Sequence, residues 1–156
     1  MRVSSVTVGT RVPAWVTEGV EEYGKRMPRE LNLEWRELPL APRGKNANAE
    51  QLKDREGLQI LKAIPSGDRV IALDVLGQAL STEKLAATLA DWQMSGDSYS
   101  LLIGGPDGLS AACLQRAERR WSLSALTLPH PLVRILLAEQ LYRAWTITAN
   151  HPYHRQ

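Results

Sequence analysis

The run Tyr99-Ser100-Leu101-Leu102-Ile103 is apolar and stops at once in Gly104-Gly105-Pro106-Asp107-Gly108. So short a run closed by such a turn reads as a buried strand, not as a helix. A second run, Arg69 to Val75, is apolar almost throughout, as a parallel strand covered on both faces must be, and Gly77 is expected to end it. Parallel neighbours cannot be joined by a hairpin, so these two runs require helical crossovers between them.

The rest of the chain supplies those crossovers. Arg2 to Val8 is a β-branched strand closed by Gly9, and Pro13 opens a helix that puts Val16, Val20 and Tyr23 on one face until Pro28. Leu31 to Arg36 alternates strictly, which predicts a strand with one wet face. Pro39 to Asn48 is a basic, breaker-rich loop. Asn48, with Gln51 three residues on, starts a helix through Leu52, Leu58, Leu61 and Ile64 that stops at Pro65-Ser66-Gly67. Ser81-Thr82 begins another, with Leu85, Leu89 and Trp92 on its inner face, and Ser110 caps a helix expected to reach about Arg120. Trp121 to Leu128 is a fifth apolar piece, broken by Pro129-His130-Pro131, with His130 as a loop-shaping or capping group. The last helix carries only Arg134, Glu139 and Arg143 as charges, and Glu139 and Arg143 are spaced to pair. It is apolar nearly all round, so it is either the central helix of a monomer or covered by a second copy of the chain.

Five strands alternating with five helices define an α/β fold: a mostly parallel five-stranded sheet with helices on both faces. At 156 residues one domain, 1–156, is expected. No window nears the roughly 18 apolar residues of a spanning helix, and strand-like alternation begins directly after Met1, so a cytoplasmic protein without a membrane partner is expected. The single cysteine, Cys113, has no disulfide partner and no metal-ligand spacing around it, which makes it a core residue and predicts no metal. A net charge of +2 permits a nucleic-acid partner only through local basic surface.

The glycine turn is neither a dinucleotide fingerprint nor a Walker loop. It sits where open α/β sheets place their ligands, although alone it serves equally as a plain strand-ending turn. The ending Asn150-His151-Pro152-Tyr153-His154-Arg155 carries two imidazoles, a phenol and a guanidinium, groups that can stack on a splayed base and bind phosphate. The plain alternative is a frayed basic end.

Taken together, Leu101 to Gly108, Trp121-Ser122-Leu123-Ser124, Leu128-Pro129-His130 and the ending Asn150 to Arg155, with Val8-Gly9-Thr10 and Arg43-Gly44-Lys45-Asn46, make a chain that resembles the bacterial pseudouridine-N3 methyltransferases of large-subunit ribosomal RNA, within the SPOUT superfamily of knotted methyltransferases. The resemblance spans the entire chain. It implies a C-terminal trefoil knot and S-adenosylmethionine as cofactor, held by Leu73, Gly104 and the segment Leu123, Ser124, Ala125, Leu126, Thr127 and Leu128. It further implies methyl transfer to N3 of a pseudouridine in 23S ribosomal RNA. The N-terminal half lacks a recognised RNA module and is too small to dock RNA alone, so the assembled ribosome is the expected substrate. The apolar last helix makes a homodimer, with each pocket completed by the other subunit, the expected assembly.

The imide proton must leave for that reaction. An imidazole titrates near working pH, so His154 is the first candidate to take it, with Arg155 to stabilise the resulting charge and Tyr153 to stack. Arg43, Lys45, His151 and Arg155 are the candidates to bind RNA; Lys25, Arg26, Arg29, Arg116, Arg119 and Arg120 are further basic surface. Asp107 is as suited to a helix start as to the cofactor. Two rivals remain: a non-catalytic knotted protein that binds ribosomes, and a flavodoxin-like binder of a phosphorylated small molecule.

Overall fold

The computed structural model describes residues 1–155. Strands β1 (Arg2–Val8), β2 (Asn32–Leu38), β3 (Arg69–Ala79), β4 (Tyr99–Ile103) and β5 (Arg119–Ser122) form one sheet in the order β2-β1-β4-β3-β5, every pair parallel. Helices α1 (Ala14–Gly24), α3 (Thr82–Ser95) and α5 (His130–Thr148) pack on one face; α2 (Ala49–Ala63) and α4 (Ala111–Arg116) pack on the other. A short 3₁₀ turn, Pro152–Arg155, follows α5.

Alternation within each strand divides the core in two. Val3, Ile71, Leu101 and Ile103 face α3 and α5, while Val6, Val8, Val70, Ala72 and Leu102 face α2 and α4. Every residue of β4 is buried, which is why its sequence lacks the alternation of a half-wet strand. β2 is an edge strand paired only to β1, and its alternating pattern follows from that position. The expected caps form: the side chains of Asn48, Ser81 and Ser110 accept from Glu50 and Gln51, Lys84, and Cys113 respectively. Cys113 is fully buried, and burial raises its thiol pKa.

Three expectations are corrected. Gly77 does not end β3, which continues to Ala79. Trp121 is instead paired with both Leu73 and Gln78, so residues 74–77 bulge out of the ladder. A Cβ on Gly77 would lie 2.7 Å from the Arg120 carbonyl carbon, so glycine is needed where the strand closes back onto β5. Helix α4 stops at Arg116 because the Glu118 N–H is taken by the Val70 carbonyl, 2.9 Å away, and strand pairing overrides a helix-compatible sequence. The fifth strand ends at Ser122, where β3 runs out of partners; Ser122 Oγ donates to the Ser124 carbonyl at 3.0 Å and Ser124 Oγ accepts from Leu126 N at 2.9 Å, turning residues 123–129 off the sheet.

Helices on each face approach through glycine. A Cβ on Gly19 of α1 would sit 2.8 Å from Ile135 Cδ1 of α5, and one on Gly57 of α2 would sit 2.2 Å from Ser110 Oγ. Gly57→Ala is therefore expected to cost about 1–3 kcal/mol through overpacking. Gly24→Ala, with open space around it, is expected to be neutral or gain up to about 1 kcal/mol. Urea midpoints test this, and equal midpoints for the two variants would contradict it.

Candidate functional site

The carboxyl ends of β3, β4 and β5 open into one cavity of about 580 Å³, within the size range of small-molecule sites. Three sequence features build it. The bulge after Leu73 contributes Asp74 and Val75; the turn after Ile103 contributes Gly104, Gly105, Pro106 and Gly108; the segment that leaves the sheet after Ser122 runs along the wall to His130 and Val133. Trp121 is the floor, 2% exposed. No lysine or arginine is among the lining residues, and Asp74 is the one carboxylate.

The glycine turn is closed on itself. Gly105 and Gly108 form an antiparallel bridge, with Gly108 N–H donating to the Gly105 carbonyl at 3.0 Å, and a Cβ on Gly104 would lie 2.5 Å from the Gly108 carbonyl carbon. Gly108 itself has φ +86°, a left-handed conformation that favours glycine. The close approach expected at Gly104 is thus made by the turn's own backbone.

Leu73, Gly104, Leu123, Ser124, Leu126, Thr127 and Leu128 all line the cavity. Ala125 is exposed and lies outside the lining. The sequence reading missed Asp74, Val75, Trp121 and Val133 as lining residues. Asp74 and Val75 were hidden because Gly77 reads as a terminator and not as the pivot of a bulge. His130 makes no capping bond, since Pro129 occupies the N-cap position of α5.

The tail lies elsewhere. Asn150 takes φ +54°, which asparagine tolerates, and the His151 N–H donates to the Thr146 carbonyl at 2.8 Å, so the chain folds back along α5. Tyr153 packs on Tyr142 with ring centroids 4.7 Å apart, and its hydroxyl donates to Glu139 Oε1 at 3.1 Å. Arg143, which also bonds Glu139, stands 4.9 Å from the Tyr153 ring centroid. Burial, then the hydrogen bonds to Tyr23 and Glu139, hold the Tyr153 phenol well above its ordinary pKa. His151 Nδ1 accepts from the Tyr153 N–H, His154 Nδ1 is buried without a partner, and Arg155 is exposed. Glu139 to Arg143 are 9 to 13 residues beyond His130, or roughly 14–20 Å along the helix. No described tail residue lines the cavity of its own chain.

A family model described as "Predicted SPOUT methyltransferase" matches residues 1–154. The chain belongs to the SPOUT methyltransferase family. It is 60% identical, over 99% of its length and 100% of the relative's, to a protein of Saccharophagus degradans named ribosomal RNA large subunit methyltransferase H, and 56% identical, with the same coverage, to a protein of that name from Marinomonas sp.. Among solved structures, a probable methylase family protein from Haemophilus influenzae superposes with a TM-score of 0.55 at 12% identity, covering 97% of this chain and 69% of that one. A putative methylase family protein from Neisseria gonorrhoeae gives 0.52 at 13%, covering 90% and 81%. These two likenesses show the shared fold.

In this SPOUT chain, no group of three or more His, Cys, Asp or Glu is placed to hold a metal ion among the described residues, and no helix is long and apolar enough to cross a membrane. His130 stands at the cavity wall with Nε2 buried and unpartnered. Burial first, then the Arg134 charge one turn on, lowers its pKa to about 4, so the imidazole is neutral at neutral pH. The unfolded chain, at the ordinary value of 6.5, binds this proton first as pH falls. Its contribution to stability is therefore complete above about pH 6.5 and lost between 6.5 and 4. His130→Gln is expected to flatten the fall of the urea midpoint across that window; parallel profiles would contradict this.

Proposed function

We propose that the chain is an S-adenosylmethionine-dependent methyltransferase of large-subunit ribosomal RNA, acting on N3 of a pseudouridine in the assembled ribosome. The single observation that carries the cofactor assignment is the cavity's composition: apolar walls, backbone groups at broken strand ends, one carboxylate and no cation. A sulfonium is itself cationic and is accommodated by such a lining, whereas a phosphate group lacks the counter-charge it needs. That favours the methyl-donor site over a flavodoxin-like phosphate site. Large-subunit ribosomal RNA as substrate follows the names carried by relatives that match over their full lengths, and N3 of a pseudouridine rests on the family resemblance.

Leu73, Gly104, Leu123, Ser124, Leu126, Thr127 and Leu128 would hold the cofactor through backbone groups and apolar contact, with Asp74 the carboxylate of the lining. When bound, S-adenosylmethionine supplies an electrophilic methyl group. The chain's own work is to align the acceptor, exclude water and take the imide proton. His154 takes that proton, Arg155 stabilises the imide charge and Tyr153 stacks on the base. Lys45, exposed on the loop after β2, binds phosphate along with His151 and Arg155. The C-terminal segment is threaded as a trefoil knot, as membership of the SPOUT family implies, and the protein is cytoplasmic.

Because the tail is remote from its own cavity, these groups act on the cavity of a second subunit in a two-fold dimer. Support for the dimer lies in exposed apolar residues: Leu76, Leu126, Leu132 and Leu136 all stand out of the core, Leu76 at 89% exposure. Leu132 and Leu136 are one turn apart on α5 and form a stripe with no partner within the chain's core clusters.

Tritiated methyl transfer to ribosomes from a methylation-deficient strain tests the function. Incorporation into 23S RNA is expected, and cofactor binding without incorporation would favour a non-catalytic ribosome binder. A tail variant, His154→Ala with Arg155→Ala, and a cavity variant, Gly104→Val, are each expected to lose at least 100-fold in activity. Mixed and reassociated, they should recover about a quarter of wild-type activity, because half the dimers then hold one intact composite site. No recovery on mixing would place tail and cavity in one subunit and overturn the shared site.

A further inference from the structure

The sequence places Arg43 among the cations of a basic loop, yet its guanidinium is engaged on the protein. Nη1 donates to the Ala41 carbonyl at 3.0 Å and to Glu56 Oε2 at 3.2 Å, and Nη2 donates to Asp107 Oδ2 at 3.0 Å. Glu56 is 2% exposed at its side chain and also accepts from the Ala41 N–H at 3.1 Å. Its other oxygen, Oε1, is buried without a partner beside Gly105, where a Cβ would stand 3.0 Å away. Two carboxylates more than offset the one cation, and turning the guanidinium out to a phosphate would leave the buried Glu56 carboxylate without its charge partner.

Asp107 is in the middle of the turn whose Gly104, Gly105, Pro106 and Gly108 line the cavity. Within that turn the Gly105–Gly108 pair supplies a backbone hydrogen bond and Pro106 has no N–H to donate, so Asp107 is the side chain that ties it to the neighbouring loop. One guanidinium therefore joins three segments: the loop after β2, the inner face of α2 and the cavity turn. We infer that Arg43 is a positioning residue that holds the glycine turn in its ligand-ready shape through Asp107 and Glu56, and is not a phosphate contact. This rests on the cavity being the S-adenosylmethionine site. By linkage, cofactor seated on the turn strengthens the loop's attachment, so loop and cavity are coupled in both directions.

Titration calorimetry with S-adenosylmethionine on the full-length protein tests this, alongside amide exchange at Gly108 without cofactor. Arg43→Ala and Asp107→Asn are each expected to raise the Kd about tenfold and to speed Gly108 exchange, with the double variant little worse than either alone and Arg43→Lys intermediate. Asp107 is part-exposed, so its variant retains the fold even if Arg43→Ala, which strands Glu56, does not. Arg43→Ala with Glu56→Gln removes the stranded charge. Cofactor affinity and Gly108 exchange within twofold of wild type in Asp107→Asn, together with a shallower salt dependence of ribosome binding in Arg43→Ala, would make Arg43 a phosphate ligand and overturn the inference. Failure of the unaltered protein to bind S-adenosylmethionine is a separate result, and it would remove the cofactor assignment and the inference with it.

Discussion

The carboxyl edge of the sheet depends on how Trp121 is held. Its ring lies 5.6 Å from that of Trp92, nearly parallel, and Trp92 in turn stacks on Tyr99 at 3.7 Å. Its backbone pairs with β3 twice, at Leu73 and at Gln78. A residue held by an aromatic column on one side and by two ladder positions on the other has almost no freedom. From that fixed point β3 must bulge and β5 must end, and the next residues must leave the sheet beside the turn that closes β4. The cavity is the space between those three departures.

The other side of the design is distance. Helix α5 begins at the cavity wall with His130 and ends beneath the tail, so one rigid element separates the groups suited to hold a cofactor from those suited to meet a nucleobase. Glu139, Arg143, Tyr142 and Tyr23 fix Tyr153 in place, which turns a terminus into an ordered surface. Such an arrangement is wasteful in a monomer and economical in a dimer, where one subunit's ordered end can serve the other's cavity.

Much of the fold is legible in the sequence because local and global signals agree. The apolar run of β4 lacks alternation because it is covered on both faces, and Asn48, Ser81 and Ser110 cap the helices their positions suggest. What the sequence hides are pairings between distant segments. Gly77 carries the same local signal whether it ends a strand or lets one close on Arg120, and residues 117–118 favour helix until Val70 offers a ladder bond. Of the candidate cofactor residues that the family resemblance brings in, all but Ala125 line the cavity, whereas Asp74, the lining's one carboxylate, belongs to the bulge that periodicity cannot show. Arg43 looks like any loop cation in sequence; only its partners, 13 and 64 residues away, give it another role.

The central claim is that the space around Trp121 is a methyl-donor site. Backbone amide shifts of the labelled protein, followed as S-adenosylmethionine is added, test it most directly. Saturable shifts concentrated at 73–75, 104–109 and 121–130 are the expected result. Shifts confined to other surfaces, or none that saturate, would contradict the account.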